Sequence, residues 1–168
     1  MRGIIRMNRL LSRTPARIIY NSEVSKRLHE DFGFARDHGH VIPNGFDLER
    51  WRFNPEKRRT VREALGIPDE APVIGHFARF HPMKDHATFL EAIRLLLRER
   101  PEARVLMAGT GVERANPDFA ALLDDLPSGQ VLTLGERDDI ETLMSALDLY
   151  CLSSAWGEAF PNVLGEAM

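Results

Sequence analysis

PVIGHFARFHPMKDHATFLEAIRLLLRE, residues 72–99, predicts a strand, a loop and a helix in succession. Residues 72–78 form an apolar run of the length that buried strands have. From about residue 86 to residue 99, apolar side chains recur at helical spacing, and they are Phe89, Leu90, Ile93, Leu96 and Leu97. This stretch therefore predicts a buried strand that leads through a short loop into an amphipathic helix.

The same alternation continues along the chain. Further apolar strand candidates are ARVLMAG (103–109), QVLTLG (130–135) and DLYCLS (148–153), and helical segments at about 116–126 and 138–146 separate them. Strands that are apolar throughout are typical of a parallel sheet covered by helices on both faces. The sequence therefore predicts an α/β fold with a doubly wound, Rossmann-like parallel sheet, whose ligands bind at the carboxyl ends of the strands.

Shorter elements precede this alternation. ARIIY (16–20) predicts a short buried strand, and Ser22 is a candidate N-cap for a helix that follows it. HVIPNGFD (40–47) predicts the end of a strand and then a turn at Asn44-Gly45.

Two prolines mark further helix starts. Asn54 and Pro55 predict an N-cap and a first-turn proline, and Gly66 is expected to end that helix. Pro161 begins another helix after the last strand, but the sequence stops at Met168 within the helical pattern. Because a crossover helix normally leads to another parallel strand, we expect the chain to be a fragment of a longer protein.

The first twenty residues are basic. Five arginines, with no acidic residue before Glu23, alternate with apolar side chains as on an amphipathic helix; the arginines are Arg2, Arg6, Arg9, Arg13 and Arg17. Such a helix suits an anionic membrane surface. It equally suits the surface of a neighbouring domain, and this second interpretation is favoured because the apolar face is small.

Composition limits the class of protein. The chain has 168 residues, of which 43% are hydrophobic, so it can form a buried core; its net charge is −3. This charge argues against a dedicated nucleic-acid-binding protein.

Cys151 has no cysteine partner in the chain, which favours a reducing compartment. No apolar run approaches the roughly 18–20 residues of a membrane span, and no signal-peptide core is present. We therefore expect a soluble, cytoplasmic protein.

Candidate ligand-binding residues follow two of the strands. The loop ARFHPMKDH (78–86) carries Arg79 and Lys84 ahead of a helix, an arrangement that suits a diphosphate. Two solvated charges are the alternative interpretation. The segment SSAWGEAFPNVLGEA (153–167) contains Gly157, which permits close backbone approach, and free N–H groups at a helix start. Both loops leave the same edge of the predicted sheet, so they could converge on one ligand.

Glu158 and Glu166 lie eight positions apart in that segment. Hydrolytic carboxylate pairs stand about 5–9.5 Å apart, whereas eight residues along a helix cover about 12 Å. The pair therefore suits hydroxyl groups at two ends of a long ligand better than acid–base catalysis. The alternative interpretation is two exposed helix charges.

Other kinds of site fit less well. AGTGVER (108–114) imitates a dinucleotide fingerprint, but Arg114 stands where its third glycine would be. His76, His81 and His86 do not have the spacing of zinc ligands, so they are predicted to be structural or loop residues. The pairs Asp124-Asp125 and Asp138-Asp139 are predicted to be solvated or to cap helices. The sequence predicts no metal site.

Glu158 and Glu166 form the E-x7-E motif of retaining glycosyltransferases of the GT-B fold, and the chain resembles glycosyltransferase family 4 (group 1). The matching stretches, in order, are VIPNGFD, ARFHPMKD, LMAGTGVE and LTLGERDDIETLMSALDLYCLSSAWGEAFPNVLGEAM. The resemblance implies a truncated C-terminal half of a GT-B enzyme. Residues 1–42 would be the end of the acceptor-side N-terminal domain with the linker, and residues 43–168 the incomplete nucleotide-sugar-binding domain.

The resemblance also implies an activity: transfer of a sugar from a UDP- or GDP-linked donor to an acceptor hydroxyl, with retention, in polysaccharide or lipid-linked glycan synthesis. It implies no metal or other cofactor, and it leaves open a peripheral contact with the inner face of the membrane through the N-terminal domain. The fragment itself is expected to be inactive. The alternatives are a nucleotide-sugar-binding module without activity and a GT-B sugar epimerase; NGFD and the E-x7-E stretch favour a transferase.

By the same resemblance, Arg79 and Lys84 hold the donor diphosphate and Glu158 contacts the transferred sugar, which makes these three the candidate catalytic residues. Glu166 would bind the ribose hydroxyls. The backbone at Ala159 and Phe160 would approach phosphate, and the loop from Gly135 to Arg137 would lie beside the base. The chain departs from the family's pattern after Lys84, where Asp85 replaces a common glycine and adds a negative charge, and after Glu158, where Ala159 replaces another.

Overall fold

The computed structural model describes residues 2–168, and the chain divides into two compact units. The first unit comprises the residues up to Phe46 together with Glu158–Asn162, and the second comprises Asp47–Gly157 and Val163–Met168. In the described part of the chain, every helix is too short or too polar to cross a bilayer.

The first unit contains a small parallel sheet. Its elements are α1 (Arg2–Leu11), β1 (Ile18–Tyr20), α2 (Glu23–Asp31) and β2 (Gly39–Val41), and β1 pairs in parallel with β2. The predicted cap is confirmed, because the Ser22 hydroxyl accepts a hydrogen bond from the Ser25 N–H at 3.0 Å. The prediction of a buried strand at 16–20 is wrong for most of its length. Ile19 is 55% exposed and only Tyr20 is buried, since the two-stranded sheet covers few of its side chains.

The predicted amphipathic helix at the N-terminus is confirmed as α1. Its apolar side chains Ile4, Met7 and Leu10 are more than half exposed. The choice between a membrane surface and a neighbouring domain as the partner of this face stays a prediction.

The second unit contains a four-stranded sheet. Its helices are α3 (Pro55–Ala64), α4 (His86–Glu99), α5 (Pro117–Ala120), α6 (Ile140–Ser145) and α7 (Asn162–Ala167), of which α7 starts in the first unit. Its strands are β3 (Val73–Phe77), β4 (Arg104–Ala108), β5 (Val131–Thr133) and β6 (Leu149–Tyr150). The strands are all parallel, in the order β5-β4-β3-β6. The predicted α/β fold with a parallel sheet is confirmed.

Helices cover both faces of this sheet. All five residues of β3 are buried, because successive side chains of a strand enter the cores on opposite faces. On one face Ile74 packs with residues of α4 and α5, including Phe89 and Phe119. On the other face Val73 packs with residues of α3 and α6, including Val61 and Leu143. This double covering is the reason that the strands are apolar throughout.

The helix α3 begins and ends as predicted. The Asn54 side chain accepts hydrogen bonds from the N–H groups of Glu56 and Lys57, Pro55 is the first helical residue, and Gly66 follows the helix with φ +64°. The turn predicted at Asn44-Gly45 is wrong, because those residues are irregular and the turn lies at 48–50. It forms there because the Asp47 carboxylate accepts hydrogen bonds from two of the N–H groups that follow it.

A buried arginine joins the amino ends of β3 and β6. Arg62 is 1% exposed, and its guanidinium donates to the Ala146 carbonyl at 3.1 Å and to the Asp148 carboxylate at 2.8 Å. It also donates to the carbonyls of Asp69 and Ala71, just before β3. Its charge is therefore fully compensated inside the unit, as a buried charge requires.

Asp148 completes this cluster. Its carboxylate accepts a hydrogen bond from the Val73 N–H at 2.8 Å and also pairs with Arg58 at 2.6 Å. Burial alone would raise the pKa of Asp148, but the hydrogen bond from Val73 and the charges of Arg58 and Arg62 hold the pKa below its ordinary value. The carboxylate therefore stays ionised.

His76 lies in β3 and is fully buried. Its ring centroid lies 4.7 Å from that of His86 and 4.5 Å from that of Phe89. Burial, and next the neighbouring His86, lower the pKa of His76 to about 3. The imidazole is therefore neutral at physiological pH, in agreement with its predicted structural role.

We expect Arg62→Met to lower the free energy of unfolding by about 3 kcal/mol or more, because it removes the buried donor that several carbonyls and the Asp148 carboxylate share. Urea denaturation at pH 7 measures this loss. The matched control is Arg59→Met, one turn earlier in α3, where the side chain is exposed and pairs with exposed Glu63; its cost should stay below about 0.5 kcal/mol. Equal losses in the two variants would contradict the structural role of Arg62.

The lowered pKa of His76 predicts a pH-dependent stability. In the unfolded chain the imidazole titrates near pH 6.5, and in the folded chain near pH 3. The unfolded state therefore binds more protons between these values, and stability falls as the pH drops from about 6.5. At pH 5 this group alone should have removed about 2 kcal/mol. His76→Phe should make urea denaturation correspondingly less sensitive to pH between 7 and 5.

Candidate functional site

The order in which strands are added to the sheet reverses at β3. From β3 it proceeds through β4 to β5 on one side, and β6 then returns to the other side of β3. Ile74 and Gly75 of β3 lie opposite Leu149 and Tyr150 of β6. The carboxyl ends of β3 and β6 therefore flank a topological switch point, where open α/β sheets bind ligands.

The loop after β3 crosses the end of β4. The N–H of Ala78 donates to the Ala108 carbonyl at 2.9 Å, and the N–H of Phe80 donates to the Thr110 carbonyl at 2.9 Å. A Cβ at Gly109, whose φ is +143°, would lie only 2.3 Å from the Ala78 carbonyl oxygen. The glycine after β4 thus makes room for the loop that carries Arg79.

The same loop places both predicted cations before α4. Arg79 is exposed and Lys84 is half-buried at the end of a short 3₁₀ turn. Asp85 then takes the left-handed conformation, with φ +47°, and is the one non-glycine residue with positive φ among residues 2–168. Its carboxylate accepts a hydrogen bond from the Thr88 N–H at 3.2 Å and so caps α4. The expected effect of Asp85 was an added charge; the structure gives the residue a conformational and capping role, in a conformation that glycine adopts freely.

The segment after β6 contacts this loop. The Ala155 N–H donates to the Met83 carbonyl at 2.9 Å, and the Ser153 hydroxyl donates to the Lys84 carbonyl at 2.7 Å. A Cβ at Gly157, whose φ is +82°, would lie 2.8 Å from the Met83 sulfur. The prediction that both loops leave the same edge of the sheet is therefore confirmed for the residues up to Gly157. The predicted close backbone approach at Gly157 is made by the side chain of Met83.

Cys151 lies between β6 and this segment. It is half-buried, packs against the core that contains Phe89, and burial raises the pKa of its thiol. Cys151 is therefore a residue at the margin of this core.

Glu158, Ala159 and Phe160 belong to the first unit and are half-buried. The ring of Phe160 stacks on that of Phe46, with the centroids 6.2 Å apart. Their predicted roles with sugar and phosphate stay predictions.

Glu166 lies in α7 and lines a cavity of about 150 Å³ in the second unit. Aromatic Trp51 and Phe53 and the carboxylate of Glu141 line the same cavity. Burial raises the pKa of Glu166, while the positive charge of Arg50 opposes this rise. The half-buried carboxylate is thus placed where hydroxyl donors would compensate its lost hydration.

The loop from Gly135 to Arg137 follows β5. Gly135 has φ +66°, and a Cβ there would lie 2.9 Å from a carboxylate oxygen of Glu113, a residue that sequence reasoning did not single out. Arg137 forms a bidentate pair with Asp139, at 2.8 and 2.7 Å, and this pair lowers the pKa of Asp139. Asp139 stands at the N-cap position of α6, which agrees with the predicted cap, but it caps through its backbone carbonyl because its carboxylate bonds Arg137.

Two of the histidines that were predicted to be structural or loop residues form hydrogen bonds near this site. His81 accepts a hydrogen bond from the Met83 N–H at 3.1 Å, and buried His76 lies 2.9 Å from the Ser153 hydroxyl oxygen. Sequence reasoning missed Ser153, because its partners lie 77 and 69 positions away. Within residues 2–168, no cluster of three or more His, Cys, Asp or Glu residues is arranged to hold a metal ion.

Comparison with known proteins identifies the family. The sequence model of glycosyl transferases group 1 matches residues 57–168. The putative glycosyltransferase EpsF of Bacillus subtilis is 30% identical over 158 residues, which are 94% of this chain and 41% of that protein. The UDP-Gal:alpha-D-GlcNAc-diphosphoundecaprenol alpha-1,3-galactosyltransferase of Escherichia coli is 29% identical over 129 residues, which cover 76% of this chain and 33% of that protein.

Solved structures agree with this assignment. Anabaena HepE in complex with UDP and glucose superposes with a TM-score of 0.86 and 28% sequence identity, over 99% of this chain and 46% of that one. The chain thus spans less than half the length of these relatives. The resemblance stated from the sequence is confirmed, and so is the fold that it implied. The chain belongs to the glycosyl transferases group 1 family.

Proposed function

We propose that the second unit binds a sugar linked to a nucleoside diphosphate, and that the enzyme transfers this sugar to an acceptor hydroxyl with retention. The observation that carries the proposal is the contact between the loops after β3 and β6 at the switch point. One of these loops presents Arg79 and Lys84 at the start of α4. The complex of HepE with UDP-glucose, 28% identical to this chain, supports a nucleotide-sugar donor.

In this proposal, Arg79 and Lys84 bind the donor diphosphate. Arginine forks onto two phosphate oxygens, lysine adds a point charge, and the free N–H groups of the α4 N-terminus add partial charges. When the nucleoside diphosphate departs, negative charge develops on these oxygens, and fixed cations stabilise it without a metal ion. The anomeric carbon becomes cation-like and takes the acceptor hydroxyl on the face that the diphosphate left.

The glutamates and the β5 loop would bind the remaining parts of the donor. Glu166 would accept hydrogen bonds from the ribose hydroxyls, and Glu158 from the transferred sugar, with the backbone at Ala159 and Phe160 near phosphate. Burial raises the pKa of Glu166, and the charge of Arg50 opposes this rise and so favours the ionised form, which accepts such bonds. Beyond Gly135, Arg137 is held by Asp139, so its planar guanidinium is oriented to stack on a base.

The names of the relatives suggest a setting. One relative acts on a diphosphoundecaprenol-linked sugar, and another is described as GDP-mannose-dependent, with a phosphatidylinositol mannoside as its substrate. We therefore propose a UDP- or GDP-linked donor and a sugar or lipid-linked acceptor, in polysaccharide or lipid-linked glycan synthesis. Transfer also needs an acceptor site. Because the relatives are more than twice as long as this chain, we expect the 168 residues alone to bind the donor without transferring its sugar.

Nucleotide titration tests the donor site. We expect the chain to bind one of UDP, GDP or ADP in calorimetry, with equal affinity in the presence and absence of EDTA. Lys84→Ala should weaken binding at least tenfold, because it removes a charge-assisted contact with phosphate. The control is Arg98→Ala, which removes an exposed cation from the opposite end of α4 and should leave affinity unchanged. Loss of binding in EDTA would refute the metal-free part of the proposal.

The complete enzyme should separate the roles of Lys84 and Glu166. Lys84 acts where charge develops, so we expect Lys84→Ala to lower kcat by about 10²–10³. Glu166 binds ribose equally in the ground and transition states, so Glu166→Ala should mainly raise KM for the donor. Steady-state kinetics with varied donor measures both constants. Equal falls in kcat for the two variants would contradict this assignment.

A further inference from the structure

A chain of two hydrogen bonds joins the core of the second unit to the backbone of Lys84. It begins at His76, which is fully buried in β3. His76 Nε2 lies 2.9 Å from Ser153 Oγ, and Ser153 Oγ lies 2.7 Å from the Lys84 carbonyl oxygen. Because Ser153 follows β6, the chain of bonds links both strands that flank the switch point.

The chemistry of the partners fixes the direction of both bonds. A carbonyl oxygen only accepts, so the Ser153 hydroxyl donates its proton to Lys84. The hydroxyl has no second proton, so its oxygen accepts from His76, and Nε2 must carry the imidazole proton. Nδ1 of His76 has no hydrogen-bond partner among the described residues. The neutral ring therefore has the Nε2–H tautomer, with Nδ1 unprotonated.

Packing holds this ring in place. The rings of His86 and Phe89, both in the first turns of α4, lie 4.7 and 4.5 Å from the His76 ring. His76 therefore touches the helix that follows Lys84, and through Ser153 it reaches the carbonyl of Lys84 itself. Both restraints act on the segment in which α4 begins.

We propose that His76 is a positioning residue for the donor site: through Ser153 it fixes the backbone of Lys84 and so sets where that lysine presents its charge. The hydrogen-bonded tether stands on the geometry alone. Its effect on donor binding rests on the proposed function.

Hydrogen exchange tests the tether without any ligand. Ser153→Ala removes the bridging hydroxyl, and His76→Phe keeps a ring but removes the donor. In both variants we expect the amides of Lys84 and Ala155, which bond to carbonyls of the loop, to exchange at least tenfold faster. Ser153→Thr retains a hydroxyl and should restore slow exchange.

Ser12 offers a matched control in the first unit. Its buried hydroxyl also bridges two backbone groups, accepting from the Ala35 N–H at 3.0 Å and donating to the Arg9 carbonyl at 2.7 Å. Ser12→Ala should leave the exchange of Lys84 and Ala155 unchanged. Nitrogen-15 shifts of the imidazole should show His76 protonated at Nε2. Protonation at Nδ1, or exchange at Lys84 that is unaltered in Ser153→Ala, would overturn the proposal.

A double-mutant cycle tests the effect on the donor site. With whichever of UDP, GDP or ADP the unaltered chain binds, we expect Ser153→Ala alone to weaken binding about threefold to tenfold, and to weaken it not at all in the Lys84→Ala background. Equal losses in both backgrounds would mean a general structural role and would overturn the link to Lys84. If the unaltered chain binds none of UDP, GDP or ADP, the proposed function fails, while the exchange experiment still decides the tether.

Discussion

The buried guanidinium of Arg62 sets the geometry on which the site depends. It bonds the carbonyl of Ala146 and the carboxylate of Asp148, just before β6, and Asp148 exchanges hydrogen bonds with both backbone groups of Val73, where β3 begins. The two strands that flank the switch point are thus clamped together at their amino ends. Because a strand rises about 3.3 Å per residue, this register also fixes the relative positions of their carboxyl ends. Beyond those ends the Ser153 hydroxyl donates to the Lys84 carbonyl.

The arginines of this unit differ in what compensates their charge. Arg62 is 1% exposed, and its guanidinium donates to carbonyls and a carboxylate inside the unit, so a ligand cannot reach it. Arg137 shares its guanidinium with Asp139 and stays half exposed, which suits a residue that is oriented for contact. Arg79 is exposed at the switch point. A cation that binds phosphate must keep donors available, and by this criterion Arg79 is suited to that role whereas Arg62 is structural.

Local sequence signals predicted the central elements well and the edges poorly. The helix expected at about 86–99 is α4, and the apolar run 72–78 contains β3, because burial on both faces leaves an unmistakable pattern. The run 148–153 yields only the two residues of β6, since an edge strand extends only as far as its single neighbour pairs with it. The left-handed φ of Asp85 and the contacts of Ser153 arise from loop closure and from partners distant in sequence, which no local pattern encodes.

The glycine-rich stretch after β4 illustrates why a motif needs its structural context. AGTG after a strand resembles a nucleotide-binding turn, yet the space that Gly109 leaves is filled by the protein's own backbone, with the Ala78 carbonyl oxygen 2.3 Å from where a Cβ would be. Its lack of a side chain lets the loop after β3 bond to Ala108 and Thr110. Any larger residue would push that loop away from β4. Gly109 therefore contributes to the site indirectly, by determining where Arg79 leaves the sheet.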